Sequence, residues 1–254
     1  MWQLQQKKKL VNEKGYIFGI RAVIEAIRSG KDFDKILVKK GSRGELFNEF
    51  LEEAKANKIP IKMVPGERID RVTKKNHQGV LAFISPVSFY KVEDVIPQLY
   101  EDGKTPLLLV LDEITDVRNF GAITRTAECA GVDAIIIPEK GAAQINADAV
   151  KTSAGALHHI KICRTKSLVN TIKFLKDSGI QTIAATEKAS DNYYNTDFIV
   201  PSAIVMGSEE VGISDDIIRL CDTKVRIPIV GKIESLNVSV AASVIIYEAV
   251  RQRS

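Results

Sequence analysis

The stretch "PLLLVLDEITDVRNFGAITRTAECAGVDAIIIP" (residues 106–138) decides the fold class. Its opening, "PLLLVLDEI", is an almost unbroken apolar run, the pattern of a strand buried on both faces. "NFGAITRTAECAGV" follows as a helix, and "DAIIIP" is a second buried strand. A strand, a crossover helix and a second strand form the unit from which parallel sheets are built.

The alternation continues to the C-terminus. "NADAVKTSAGALHH" reads as a helix, "IKICR" as a strand, and "SLVNTIKFLKDSG" as a helix ending at Gly179. "QTIAATE" and "SAIVMG" read as strands, "SDDIIRLCD" as a helix opening on a Ser/Asp cap, and "TKVRIPI" as the last strand. A final helix is expected from Leu236 onward. Six strands alternating with helices predict an α/β domain with a parallel sheet covered on both faces.

Upstream, the same logic gives a smaller α/β unit. "GIRAVIEAIRSG" places Ile20, Val23, Ile24 and Ile27 at helical spacing, with Gly30 as a C-cap. "FDKILVKK", "IPIKMVP" and "GVLAFISPV" read as strands, "GELFNEFLEEAKANK" as an amphipathic helix, and "ERIDRVT" as a short one. "YKVEDVIPQLYEDGKTP" is a weakly amphipathic helix closed by Gly103 and Pro106, taken as the connector. The expected division is residues 1–90, a linker at 91–105, and residues 106–254.

The chain has 254 residues, 45% hydrophobic and 27% charged, a globular balance. No apolar run is long enough for a membrane span, and "MWQLQQKKKL" lacks the apolar stretch of a secretory signal. The three cysteines are scattered, without CxxC, as expected of a reducing cytoplasm. His158 and His159 are adjacent and point apart on any regular element, so no metal site is expected. Charge is segregated. Residues 1–90 hold 18 of the 36 Lys and Arg but 10 of the 32 Asp and Glu, a net +8 against −4 for the remainder. A polyanionic partner explains this bias, and so does a solvated lysine-rich surface.

In open parallel sheets, ligands bind beyond the carboxyl ends of the strands. Three segments there mix Gly with polar residues: "TDVRNFGAITRT", "GSEEVGIS" and "PIVGKIESLN". Singly, each has an ordinary explanation. Asn119 or Ser235 could cap a helix, Gly121 could serve a turn, and Arg125 could be a surface arginine. Three such segments at one rim point to a site. The dinucleotide, P-loop, hydrolase-elbow and zincin motifs are absent.

"NFGAITRTAECAGV", "VMGSEEVGIS" and "RIPIVGKIESLNVSVAASVIIYEA" resemble, in order and spacing, the three motifs of the SpoU (TrmH) family of RNA ribose 2′-O-methyltransferases. "FGIRAVIEAIRSG" through "NHQGVLAFI" resembles the family's substrate-binding domain, whose fold is like ribosomal protein L30e. The two-part layout looks closest to the 23S rRNA guanosine 2′-O-methyltransferases. One departure is Arg21, where relatives usually carry His; Arg serves a phosphate contact at least as well. The resemblance implies a deep C-terminal trefoil knot of the SPOUT type, a homodimer through that domain, and S-adenosyl-L-methionine as cofactor.

It also implies a site. Arg125 matches the family's catalytic arginine, and Asn119, Glu209, Ser235 and Asn237 its supporting polar set. Thr186, Gly207, Ile227 and Leu236 match cofactor-contacting positions. A guanidinium pKa above about 12 suits a phosphate clamp and alkoxide stabiliser better than a base. In the basic first part, Arg21, Arg43, Lys74, Lys75 and His77 are the candidate RNA contacts. Aromatic residues are only 6% of the chain, so shape and backbone recognition are expected to outweigh base stacking. A tRNA ribose methyltransferase and a non-catalytic RNA-binding relative are the competing readings.

Overall fold

The computed structural model describes residues 15–254, and residues 1–14, read as a basic N-terminal tail of the first domain, lie outside them. The chain divides into two compact units, the first ending at Val87 and also taking in Ile145–Ala147, the second comprising Ser88–Gln144 and Asp148–Ser254.

The first unit contains β1 (Tyr16–Phe18), α1 (Ile20–Arg28), β2 (Phe33–Lys39), α2 (Glu45–Ala56), β3 (Ile61–Val64), α3 (Gly66–Asp70) and β4 (Val80–Ile84). Its sheet runs β1-β4-β2-β3, with β2 and β3 parallel and the other pairs antiparallel. Successive strand residues point to opposite faces. Ile36, Val38, Val80 and Ala82 therefore join Val23, Ile27, Phe47 and Phe50 of α1 and α2 in one core. Leu37, Leu81, Tyr16 and Val64 gather around Ile69 of α3 on the other face.

The second unit contains β5 (Phe89–Tyr90), α4 (Val92–Glu101), β6 (Leu107–Leu111), α5 (Val117–Cys129), β7 (Ala134–Pro138), α6 (Ala147–Thr152), β8 (Lys161–Thr165), α7 (Leu168–Asp177), β9 (Gln181–Ala185), β10 (Asp191–Asn192), β11 (Ser202–Met206), α8 (Asp215–Leu220), β12 (Thr223–Arg226) and α9 (Val238–Arg253). Its eight strands run β10-β12-β9-β11-β6-β7-β8-β5, every pair parallel. Six are the strands expected from sequence. The two-residue edges β5 and β10 are additional, too short to carry a periodicity.

Two expected elements differ. The stretch taken as a linker carries α4, which buries Val92, Val95, Ile96 and Leu99 against Leu108 and Val110 of the large sheet. Four apolar residues on one helical face need a surface to cover them, and the sheet supplies it. The last helix starts at Val238 rather than Leu236, because Asn237 is its N-cap. Along α9, Ala242 is fully buried and Ser243 Oγ lies 3.1 Å from Thr126 Oγ1 of α5. Small side chains let these two helices approach closely.

Strand order positions the site. β12, β9, β11 and β6 are consecutive neighbours and all parallel, so their carboxyl ends open on one edge. Thr186 follows β9, Gly207 follows β11, Ile227 follows β12, and Asp112 follows β6.

Candidate active site

The loop after β11 is built on close backbone approach. A Cβ on Gly207 would lie 2.0 Å from Gly212 C, a contact no side chain can make. Gly212 adopts φ +76°, and its N–H donates to Ser208 O at 2.9 Å, closing "GSEEVG" into a tight loop. Buried Asp112 holds this loop at its far end, accepting from Ser214 N at 2.8 Å, while Asp112 N donates to Met206 O at 2.8 Å. An acid ending a wholly apolar strand was the available signal for Asp112, which sequence reasoning passed over.

The loop presents Glu209 to two other segments. Asp116 caps α5 by accepting from Arg118 N and Asn119 N, each at 2.8 Å, which leaves the Asn119 side chain free of capping duty. Asn119 Nδ2 then donates to Glu209 Oε1 at 2.9 Å. Asn237 Nδ2 donates to the same oxygen and to Asn119 Oδ1, the latter at 3.1 Å. Val238 N also donates to Glu209 Oε1, at 3.2 Å. A carboxylate oxygen ringed by such donors is fixed in place. Gly121, next to this cluster, is needed for packing rather than for a turn. Its Cβ would come 2.6 Å from Thr152 Cβ.

A cavity of about 440 Å³ opens beside Glu209, within the range of small-molecule sites. Thr186, Gly207, Ile227 and Leu236 all line it, as do Glu209 and Ser235. Met206, Ile213, Val225 and Ile245 give it apolar walls. Glu187, Glu209, Glu210 and Glu234 outnumber Lys188 and Arg226 among its charged lining residues. That balance suits an amphiphilic ligand carrying positive charge. S-adenosyl-L-methionine, with apolar, adenine and sulfonium parts, meets those requirements.

Arg125 stands apart. It lies on α5 six residues beyond Asn119, which turns it roughly 120° away around the helix. It is exposed and has no hydrogen-bond or ion-pair partner among the described residues. Ser235 is exposed on the cavity rim and does not cap α9.

In the first unit, Arg21, Arg43, Lys74 and Lys75 are exposed. Gln78 Oε1 accepts from Ile20 N at 3.2 Å, and a Cβ on Gly79 would touch Ser42 Oγ at 2.8 Å. These contacts bring the segments carrying Arg21, Arg43 and Lys74 to His77 to one edge. His77 differs from the others. Its Nδ1 accepts from Gly79 N at 3.0 Å and its Nε2 sits 2.9 Å from Asp70 Oδ1, so both ring nitrogens serve the turn itself.

Among the described residues, no group of three or more His, Cys, Asp or Glu could hold a metal ion. No helix among them is long and apolar enough to cross a membrane.

The sequence model of the SpoU rRNA methylase family matches residues 106–247, and that of the RNA 2′-O ribose methyltransferase substrate-binding domain matches residues 16–90. A Staphylococcus saprophyticus protein named as a TrmH family tRNA/rRNA methyltransferase is 38% identical over 95% of this chain and 97% of its own length. Among solved structures, the AdoMet complex of the SpoU methyltransferase AviRb from Streptomyces viridochromogenes superposes with a TM-score of 0.60. It is 23% identical over 99% of this chain and 98% of its own, a likeness of fold. The A. aeolicus TrmH/SpoU tRNA modifying enzyme is 32% identical over 63% of this chain and 83% of its own, with a TM-score of 0.54. Both parts of the chain match the family's parts in order, and the protein belongs to the SpoU/TrmH family of RNA methyltransferases.

Proposed function

We propose that the protein methylates a ribose 2′-hydroxyl in structured RNA, with S-adenosyl-L-methionine as donor and a 23S rRNA guanosine as the first substrate to test. One observation carries this reading. Asn119, Glu209 and Asn237, from three distant segments, bond to one another beside a cavity lined by Thr186, Gly207, Ile227 and Leu236.

The cofactor, when bound, supplies an activated methyl group on a sulfonium whose leaving group is neutral. The chain's own task is to align a weak, protonated nucleophile at roughly 3–3.5 Å from that methyl and to manage its proton. Gly207, Ile227 and Leu236 offer backbone groups and apolar contact to hold the donor. Glu209, anchored by its donors, presents negative charge to the cavity, where it would face the positive charge of a bound sulfonium. Asn119 and Asn237 fix that carboxylate. Ser235, exposed on the rim, is within the lining to contact the reacting groups. Arg125 stands outside the cluster, so this reading assigns it a target phosphate and the developing alkoxide rather than the proton.

Arg21, Arg43, Lys74 and Lys75 supply phosphate contacts from the first unit, and His77 supports the turn that displays the lysines. A homodimer through the second unit, a knotted path of the last segment and a cytoplasmic setting belong to the same reading. Incubation with the methyl donor and either rRNA or tRNA, followed by alkaline hydrolysis, tests it. A methylated ribose protects the adjoining phosphodiester and marks the nucleotide. Base-labile or base-located methyl groups in both RNAs would overturn the reading. Protection in tRNA alone would move the substrate to tRNA.

A further inference from the structure

The two faces of the small sheet are covered unequally. α1 and α2 pack on one face. On the other, within this unit, the five-residue α3 and the turn after it cover the middle, over Leu37, Leu81 and Val64. The margin of that second face carries Phe18 on β1 and Phe83 on β4, both half-buried. The solvent side of a sheet ordinarily alternates to polar residues, so rings there need a reason.

Cations lie over both rings. Lys35 Nζ is 5.1 Å from the Phe83 centroid and Lys75 Nζ is 5.9 Å from that of Phe18. Strand register puts Lys35 beside Phe83, and Lys62 beside Leu37 in the next row of the same face. Burial, together with the charges of Lys62 and Arg68, holds the Lys35 ammonium below its ordinary pKa, against the opposing pull of Asp34. Gathering like charges around a half-buried lysine is unfavourable in the free protein, and an anion laid across them relieves it.

We propose that this face is a second RNA-contact surface, distinct from the edge formed by Arg21, Arg43 and Lys74, taking phosphates on Lys35, Lys62 and Arg68 and an unpaired base on Phe83. Charge complementarity selects a polyanion, and rings set among the cations select one that carries flat bases. That combination characterises surfaces for single-stranded or looped nucleic acid. A phosphate that draws the Lys35 ammonium aside uncovers the Phe83 ring for stacking. Lys75, over Phe18, joins this surface to the edge described above. The inference rests on the RNA-methyltransferase reading for the identity of the polyanion as RNA.

The test uses the full-length protein, a fluorescently labelled RNA stem-loop with an unpaired loop, and heparin as a base-free polyanion. The Lys35→Gln/Lys62→Gln/Arg68→Gln variant is expected to bind the stem-loop more weakly. The slope of log affinity against log salt should fall by about 2, from about 0.7 per lost single-strand contact. Phe83→Leu, which keeps apolar volume, should lose about fivefold or more in RNA affinity with heparin affinity and salt slope unchanged. Lys55→Gln on α2, on the other side of the sheet, should change neither. A triple variant with wild-type slope, or a Phe83→Leu loss equal for RNA and heparin, overturns the surface. If the wild type methylates ribose and the triple variant does so with unchanged KM, the surface fails and the functional reading stands. If the wild type binds RNA with the expected slopes but transfers no methyl group, the functional reading fails and the surface stands.

Discussion

Asn237 Nδ2 donates to Asn119 Oδ1 at 3.1 Å, joining residues 118 positions apart. The same amide donates to Glu209 Oε1, and its oxygen accepts from Ser239 N at 3.0 Å to cap α9. One side chain thus starts the last helix and fixes the polar cluster beside the cavity. The two duties can be separated by substitution.

Asn237→Ala removes both and should lower thermal stability, since losing a cap costs about 0.5–2 kcal/mol. Asn237→Ser retains a capping oxygen but not the amide that reaches Glu209. Its melting temperature should stay near wild type while turnover falls on the order of a hundredfold, the scale of a small misplacement of catalytic groups. Melting curves and methyl incorporation, measured on both variants, decide the point. Wild-type turnover in the serine variant would remove the cluster from the mechanism.

Gly207→Ala tests the loop. The added methyl meets Gly212 backbone at 2.0 Å, and backbone cannot yield as a flexible side chain would. Either the "GSEEVG" loop opens or β11 shifts, at a cost of about 1–3 kcal/mol typical of overpacking. Cofactor affinity by calorimetry should fall by at least about tenfold, with Gly231→Ala as the control, since a Cβ there meets nothing within 4 Å. Unchanged affinity in Gly207→Ala would separate this loop from the cofactor.

The buried strands of the large sheet were legible because runs such as "LLLVL" and "AIIIP" leave no polar residue for a solvated face. The role of α4 was not, since its apolar face matches either a connector or a sheet-covering helix until the sheet exists. Ser235 and Asn237 are both good capping residues two positions apart, and only the backbone chooses Asn237. The contacts among Asn119, Glu209 and Asn237 leave no local trace at all. Three separate polar segments at strand ends suggested a shared rim, while pairing within it depends on strand order. The bonds of the His77 ring to Gly79 and Asp70 left no local trace either, since they depend on how the turn folds back on α3.

Arg125 is exposed, without a partner among the described residues, and turned away from Asn119. Arg125→Lys keeps the charge but loses the planar fork that grips a phosphate at two points. It should leave cofactor affinity unchanged and lower turnover on RNA by roughly 10²–10³-fold, as for loss of one transition-state donor. Near-wild-type turnover in the lysine variant would rule out any role that needs the fork.

The final helix carries an acid-sensitive fastening. Glu248 accepts from Arg251 Nε at 2.9 Å and Nη2 at 2.7 Å, and from Gln252 Nε2 at 2.8 Å. Bonding to Arg251 is the main cause that holds its carboxyl down to about 2, from an ordinary 4.5; burial opposes this and Gln252 adds to it. A carboxyl with a lower pKa in the folded chain stabilises the fold above its unfolded value, and that contribution disappears as pH falls through the folded value. Glu248→Gln should therefore melt below wild type at neutral pH, with the gap closing between about pH 4.5 and about pH 2. Arg251 is largely exposed, so added salt should narrow the gap at neutral pH as well. Gln252 Oε1 also accepts from Phe198 N at 2.8 Å, and Arg253 holds Phe198 O and Val200 O. Those neutral-acceptor bonds do not titrate in this range, so the helix end should stay docked while the Glu248 contribution is lost. A melting gap independent of pH would mean that Glu248 acts through packing rather than through its charge.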